Sequence, residues 1–135
     1  MIKVIAFDLV GVLIRDNEEI EISINLLKEL KKRYPNIKLL IATNYGAAIR
    51  EKINEIFSSD YIDDLIISGE IMKYKPNSDF YEYILEKHNI KAKELLFLDD
   101  SLVNVESAKK LGINSFKVEE DTNIFELVIK NLEEK

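Results

Sequence analysis

Residues 4–14, "VIAFDLVGVLI", decide how the rest of the chain is read. An apolar run rich in β-branched residues, beginning at Ile2, leads to a single acidic residue, Asp8, and the chain then turns at Gly11. An unbroken apolar run is what a strand covered on both faces requires. A strand of that kind delivers the Asp8 carboxylate to the end of a sheet, where a site can be built. Val10, two residues further on, is the position that needs explaining.

The same alternation continues along the chain. Residues 2–9, 37–43, 64–68, 94–100 and 113–118 read as strands. Between them lie amphipathic stretches. Asn17 is placed to cap a helix over 18–34, with Ile20, Ile24, Leu27, Leu30 and Tyr34 as its buried stripe. Pro35 ends that helix. The next helix runs from about Ala47 to Phe57, and Gly69 marks a loop after the third strand. Pro76 opens a helix over 77–89, another covers 104–112, and a closing helix covers 121–134. Gly112 suits a left-handed C-cap. Strands alternating with helices imply a doubly wound α/β sandwich, three layers deep, around a parallel five-stranded sheet. In such sheets ligands bind beyond the strand C-termini, near the point where the strand order reverses.

Composition narrows the function. At 135 residues the chain is expected to form one domain, 1–135, with a single sizeable core. Apolar residues make up 47% and charged residues 33%, as in a folded globular chain. The formal net charge of −6 offers no long-range attraction to nucleic acid or to an anionic membrane. Cysteine is absent, which excludes disulfides, thiolate metal sites and a thiol nucleophile. No apolar run reaches the length of a membrane span and no secretory signal is evident, so a cytoplasmic location is expected.

The polar residues at the strand ends form a set. The first strand ends in Asp8, the second in Thr43 and Asn44, the fourth in Asp99 and Asp100, and Lys75 precedes Pro76 at a helix start. Carboxylates gathered in one crevice repel one another unless a cation offsets them. Oxygen ligands without His or Cys point to a hard ion, Mg²⁺. A hydroxyl, backbone N–H groups and a lysine beside such an ion make a phosphate site.

In this order the motifs "FDLVGVLI", "LLIATN", "GEIMKYKPNSDFYEYIL" and "LLFLDDSLVNVESAKKLG" resemble those of the haloacid dehalogenase superfamily, whose members are mostly phosphatases. The resemblance spans nearly the whole chain and implies the strand order 5-4-1-2-3. It implies that Asp8 is a nucleophile forming an aspartyl-phosphate. Thr43 and Asn44 would hold phosphoryl oxygens, and Lys75 would offset charge on both Asp8 and the phosphate. Asp8, Asp100 and the backbone carbonyl of Val10 would bind Mg²⁺, with Asp99 reaching it through water. The substrate implied is a phosphorylated compound, small or macromolecular.

The chain departs from that family in two ways. Phosphatases of the family usually carry a second aspartate where Val10 stands, to protonate the leaving alcohol and activate the hydrolytic water. Losing general acid–base help of this kind is worth on the order of 10²–10⁴-fold in rate. The second departure is the spacing, which leaves no room for a cap domain. An open site favours a bulky substrate or a lid donated by a second copy in a homodimer. The competing readings are a non-catalytic module that binds a phosphorylated ligand or a protein, and a metal-independent dehalogenase. The Asp99–Asp100 pair opposes dehalogenation, because uncompensated carboxylates repel a departing halide.

Other residues have plainer expectations. Asp16 is within reach of the first turn as a substitute acid, although Arg15–Asp16 also reads as a solvated ion pair. His88 reads as a surface histidine near a helix C-terminus. Phe80, Tyr81, Tyr83 and Ile84 read as a core-facing stripe, "LKELKKRY" as a solvated helix face, and Asp99 or Asp100 as an N-cap.

Overall fold

The computed structural model describes residues 1–16 and 18–133. The apolar runs form the strands β1 (Val4–Phe7), β2 (Lys38–Thr43), β3 (Asp64–Ile67), β4 (Leu95–Asp99) and β5 (Asn114–Lys117). All pair in parallel in the order β3-β2-β1-β4-β5, the topology expected from the resemblance read in the other direction. The helices are α1 (Ile20–Arg33), α2 (Ile49–Ile56), α3 (Ser68–Ile71), α4 (Ser78–Lys87), α5 (Leu102–Lys110) and α6 (Ile124–Glu133).

Strands β1 to β4 are buried on both faces, β5 at the edge only in part, and alternate residues feed two separate cores. Ile5, Phe7, Leu39, Ile41, Leu96 and Leu98 pack with Leu26, Leu27 and Leu30 of α1, Ile53 of α2 and Val128 of α6. Val4, Ala6, Leu40, Ala42, Leu95 and Phe97 pack with Phe80, Tyr81 and Ile84 of α4 and Ala108 of α5. The aromatic stripe of α4 therefore lies in the core, as its spacing predicts. The Tyr81 ring meets both Phe80 and Phe97 edge-on.

Several boundaries differ from the sequence reading. The segment after β3 is not a simple loop. It makes the single helical turn α3, and Gly69 is there because its backbone closes on the loop after β2. Its N–H donates to the carbonyl oxygen of Tyr45, and a Cβ at this position would collide with Gly46 and Tyr45 backbone. The buried face of α1 centres on Ser23, Leu26, Leu27 and Leu30, with Ile20, Ile24 and Tyr34 packed at its margin. The proposed cap Asn17 lies outside the described residues. Helix α5 begins two residues earlier than expected because Ser101 caps it, its hydroxyl accepting from the backbone N–H of Asn104. Neither Asp99 nor Asp100 is the cap. Gly112 follows α5 at φ 90°, the left-handed conformation its position predicts.

Charged residues also pair differently from expectation. The Arg15 guanidinium is not a solvated partner of Asp16. It binds the Glu18 carboxylate and donates to the carbonyl oxygens of Glu119 and Thr122, tying the loop after β1 to the segment before α6. His88 does sit at the C-terminus of α4, but partly buried, with Nε2 2.9 Å from the Asp64 carboxylate. Lys87 Nζ lies 2.9 Å from the same oxygen.

Burial alone would raise the pKa of Asp64, but the hydrogen bonds from Lys87 and His88 outweigh it and hold the group below its ordinary value. A lowered carboxyl pKa contributes stability above the unfolded-state value and loses it as pH falls through the folded value. Asp64→Asn is therefore expected to lower stability at pH 7 by about 1 kcal/mol. The difference from wild type should persist down to about pH 4 and close only as pH falls further, toward about pH 2. Denaturant titrations over that range check this.

Candidate active site

The site is built on one row across the sheet. Phe7 pairs with Ile41 on one side and with Leu98 on the other, so Asp8, Ala42 and Asp99 stand level, one residue beyond. Lys75 reaches this row from the segment between α3 and α4. Its ammonium donates to Asp8 Oδ1 at 2.8 Å, to the Ala42 carbonyl oxygen at 2.9 Å and to Asp99 Oδ2 at 2.9 Å. A lysine ammonium carries three donors, and all three are used here. The group is buried, and its charge also faces the rings of Phe80 and Phe97 at 6.0 and 5.7 Å from their centroids.

Asn44 fixes where Lys75 enters. Its side-chain Nδ2 donates to the Lys75 carbonyl oxygen and its Oδ1 accepts from the Lys75 N–H, at 2.9 and 3.0 Å. Both ends of the amide are thus committed to the Lys75 backbone. Thr43, beside Ala42, is almost wholly buried, and its Oγ1 has no hydrogen-bond partner among the described residues. Ser115 Oγ on β5 shares that condition. An unpaired buried hydroxyl is uncommon, and a bound oxyanion is one thing that would pair it.

Asp99 is fully buried and saturated. Its Oδ1 accepts from the Ser101 N–H, and its Oδ2 accepts from Lys75 and from Asn104 Nδ2. Asp100 by contrast is exposed, and it packs over Gly11. Gly11 has a φ of 97°, and a Cβ there would overlap the Asp100 carboxylate. The turn after β1 therefore requires glycine twice, for its backbone and for the space above it. Carboxylate oxygens of Asp8, Asp99 and Asp100 lie within 4.8 Å of one another. Asp16 is not a member of this cluster. Val10 follows Asp8 with its side chain 47% exposed to solvent.

One lysine cannot offset three carboxylates. Burial pushes the Asp8 carboxyl up, the Lys75 charge lowers it, and the neighbouring Asp99 raises it again, leaving it at about 7. The oxygen-only donor set, the residual negative charge and the exposed carboxylate of Asp100 fit a hard divalent cation.

Residues 5–118 match the model of the haloacid dehalogenase-like hydrolase family. The chain belongs to that family. It is 30% identical over 122 residues to the glyceraldehyde 3-phosphate phosphatase of Methanocaldococcus jannaschii, covering 83% of this chain and 52% of that protein. It is 31% identical over 90 residues to a sesquiterpene phosphatase of Aspergillus oryzae, covering 66% and 45% of the two. The chain thus spans about half the length of the curated relatives it matches. Among solved structures, a family enzyme of Bacteroides thetaiotaomicron in complex with magnesium and inorganic phosphate superposes with a TM-score of 0.78 at 18% identity. That match covers 94% of this chain and 99% of that one. In this member of the family only α1 separates β1 from β2, and among the described residues neither inter-motif connection carries a cap domain.

The sequence reading did not anticipate Asn104 or Ser101, and it read Gly11 as a turn without the space it leaves for Asp100. The first two had a signal in "SLVN", a hydroxyl residue followed three positions later by a polar side chain at a helix start. No helix among the described residues is long and apolar enough to cross a membrane.

The raised pKa of Asp8 has a measurable sign. The folded chain retains a proton that the unfolded chain has lost between about pH 4 and pH 7, so stability falls as pH rises through that window. In chelator, Asp8→Asn is expected to be more stable than wild type at pH 8, by at most about 4 kcal/mol. The gain should shrink toward pH 5. Lys75→Met, which leaves Asp8 and Asp99 without a cation, is expected to cost about 3–5 kcal/mol at pH 8. Thermal or denaturant unfolding of the three proteins reads both effects.

Proposed function

We propose that the chain is a phosphatase-type hydrolase acting on a phosphomonoester through an aspartyl-phosphate at Asp8. The observation that carries this reading is the Lys75 ammonium bridging Asp8 and Asp99 beside the unpaired Thr43 hydroxyl. With Oδ1 held by Lys75, Oδ2 of Asp8 attacks phosphorus as the ester P–O bond breaks, and the alcohol oxygen leaves with the bonding electrons. Thr43 Oγ1 then binds a phosphoryl oxygen, the Lys75 charge offsets the phosphate, and Asn44 serves the site through the backbone of Lys75. Mg²⁺, which Asp8, Asp100 and the Val10 carbonyl would hold with Asp99 ordering the shell through water, supplies charge neutralisation and electrophilic polarisation of the phosphoryl group. The saturation of Asp99 by three donors supports its outer position.

Val10 limits turnover at both steps. Its side chain can neither protonate a leaving oxygen nor take a proton from the attacking water. The second step suffers even when the leaving group is good, because hydrolysis of the Asp8 phosphate then lacks its base. A second reading, a module that binds a phosphorylated ligand without turning it over, rests on the same residue.

Wild type, Asp8→Ala and Val10→Asp separate these readings when mixed rapidly with 4-nitrophenyl phosphate and Mg²⁺. Wild type is expected to release nitrophenol in a burst approaching one equivalent per chain, followed by a slow steady state. Val10→Asp should raise the steady rate by about 10²-fold, and Asp8→Ala should abolish both phases. Stabilisation of wild type by Mg²⁺ and phosphate without any release of nitrophenol would establish the binding module. No stabilisation and no release would reject the site.

A further inference from the structure

Each of the four segments that bring a polar group to this site also leaves a large apolar side chain exposed within three residues of it. Val10 follows Asp8, and Tyr45 follows Thr43. Met72 and Tyr74 precede Lys75, and Leu102 and Val103 follow Asp100. Six of the nine large apolar side chains exposed among the described residues belong to this set, with Leu102 and Val103 at 55% and 63%. The other three, Met1, Ile22 and Ile56, lie at the N-terminus and on α1 and α2. Exposed apolar residues scattered singly need no explanation, but a set that flanks each polar residue of one site, on three loops and the first turn of α5, does.

Resting on the phosphatase reading, we infer that these side chains form a collar for the aromatic body of the substrate, which is a phosphate ester of a phenol. Two features converge on that class. The first is the collar, which favours an apolar group attached close to the phosphate. The second is Val10, which supplies no proton to the leaving oxygen. A phenol has a pKa of about 10, whereas water, the parent of the aliphatic hydroxyls, stands at about 15.7. An aryloxide can therefore depart unprotonated where an alkoxide cannot. The net charge of −6 and the carboxylate cluster disfavour substrates that carry further negative groups beyond the phosphate.

The balance is complete with water as the only co-reactant. Asp8 Oδ2 bonds to phosphorus, the P–O(aryl) bond breaks, and the aryloxide leaves with its electron pair and takes a proton from solvent. Water then attacks phosphorus, the Asp8–phosphate bond breaks toward Asp8, and inorganic phosphate departs with the carboxylate restored.

The test compares 2-naphthyl phosphate with acetyl phosphate, whose carboxylate leaving group is less basic and needs no proton either, but which has no apolar body. Wild type with Mg²⁺ should show a KM for naphthyl phosphate at least tenfold below that for acetyl phosphate. Tyr45→Ser and Leu102→Ser should each raise the naphthyl KM by roughly three- to tenfold and leave acetyl phosphate unchanged. Ile22→Ser, an exposed apolar position on α1, should alter neither. Calorimetry on the Asp8→Asn protein gives a readout free of turnover, with naphthyl phosphate expected to bind at least tenfold tighter than inorganic phosphate. A phosphotyrosyl peptide with a KM below that of phenyl phosphate would place the phenol on a protein, and the reverse order would place it on a free aryl compound. Equal KM values for naphthyl and acetyl phosphates, unmoved by the collar variants, would overturn the collar while leaving the phosphatase reading intact. Absence of all hydrolysis would reject the phosphatase reading, and the calorimetric comparison would then decide the collar alone. A dimer that Leu102→Ser dissociates would also overturn it, since the collar would then cover a second copy.

Discussion

The Lys75 ammonium is the contact on which the site depends. It carries three donors, and the register of the sheet presents three acceptors in one row, from β2, β1 and β4. Two of the acceptors are carboxylates, and among the described residues no other cation is found in contact with either. Removing a charge from a buried pair leaves its partner uncompensated, which costs far more than the intact pair contributes. The row therefore works as a unit. It sets Asp8 Oδ1, holds Asp99 in place, and through Asn44 is tied to the loop after β2.

Around this row the structure uses its neighbours to remove alternatives. Asp99 spends both oxygens on Lys75, Asn104 and the Ser101 N–H, so it cannot swing toward solvent. Ser101 caps α5 and thereby fixes the start of the helix that carries Asn104. Gly11 lets Asp100 settle over the turn after β1. Gly69 brings the segment after β3 against the Tyr45 carbonyl, bracing the loop that holds Asn44. None of these residues reacts, yet each narrows where a reacting group can be.

The fold was legible in the sequence because its strands are buried on both faces and read as unbroken apolar runs, and because Gly112 and Pro35 mark helix ends. The strand order came with the resemblance and not from periodicity, which carries no information about which strands pair. Placement of Asp8, Thr43 and the Asp99–Asp100 pair at strand ends was equally readable, since a polar residue closing an apolar run has few other places to go. What could not be read were partnerships set by three-dimensional approach. Asn44 reads from the sequence as a ligand of phosphoryl oxygens, whereas in the structure its amide closes on the Lys75 backbone, thirty-one positions away. Arg15 looked paired with its neighbour Asp16, but longer contacts to Glu119 and Thr122 fix its side chain. His88 looked solvated, but Asp64 at the start of β3 lies beside it. Sequence proximity is a poor guide wherever a long side chain can reach another element.

Val10 ties the chemistry of the site to its surroundings. In a site closed by a cap, an apolar residue at this position would be one more buried side chain, and the loss of an acid would be its whole consequence. Here the position is half-open, and in the collar we infer the residue stands with the exposed apolar side chains that flank Thr43, Lys75 and Asp100. The same substitution that removes a proton donor therefore adds apolar surface at the mouth. These two effects select in one direction, toward a leaving group that is both weakly basic and poorly hydrated. A carboxylate at position 10 would reverse both, widening the range of leaving groups while making the mouth more polar. On the proposed reading, the turn after β1 sets both the reactivity of the bound ester and the character of what can bind, through a single side chain two residues from Asp8.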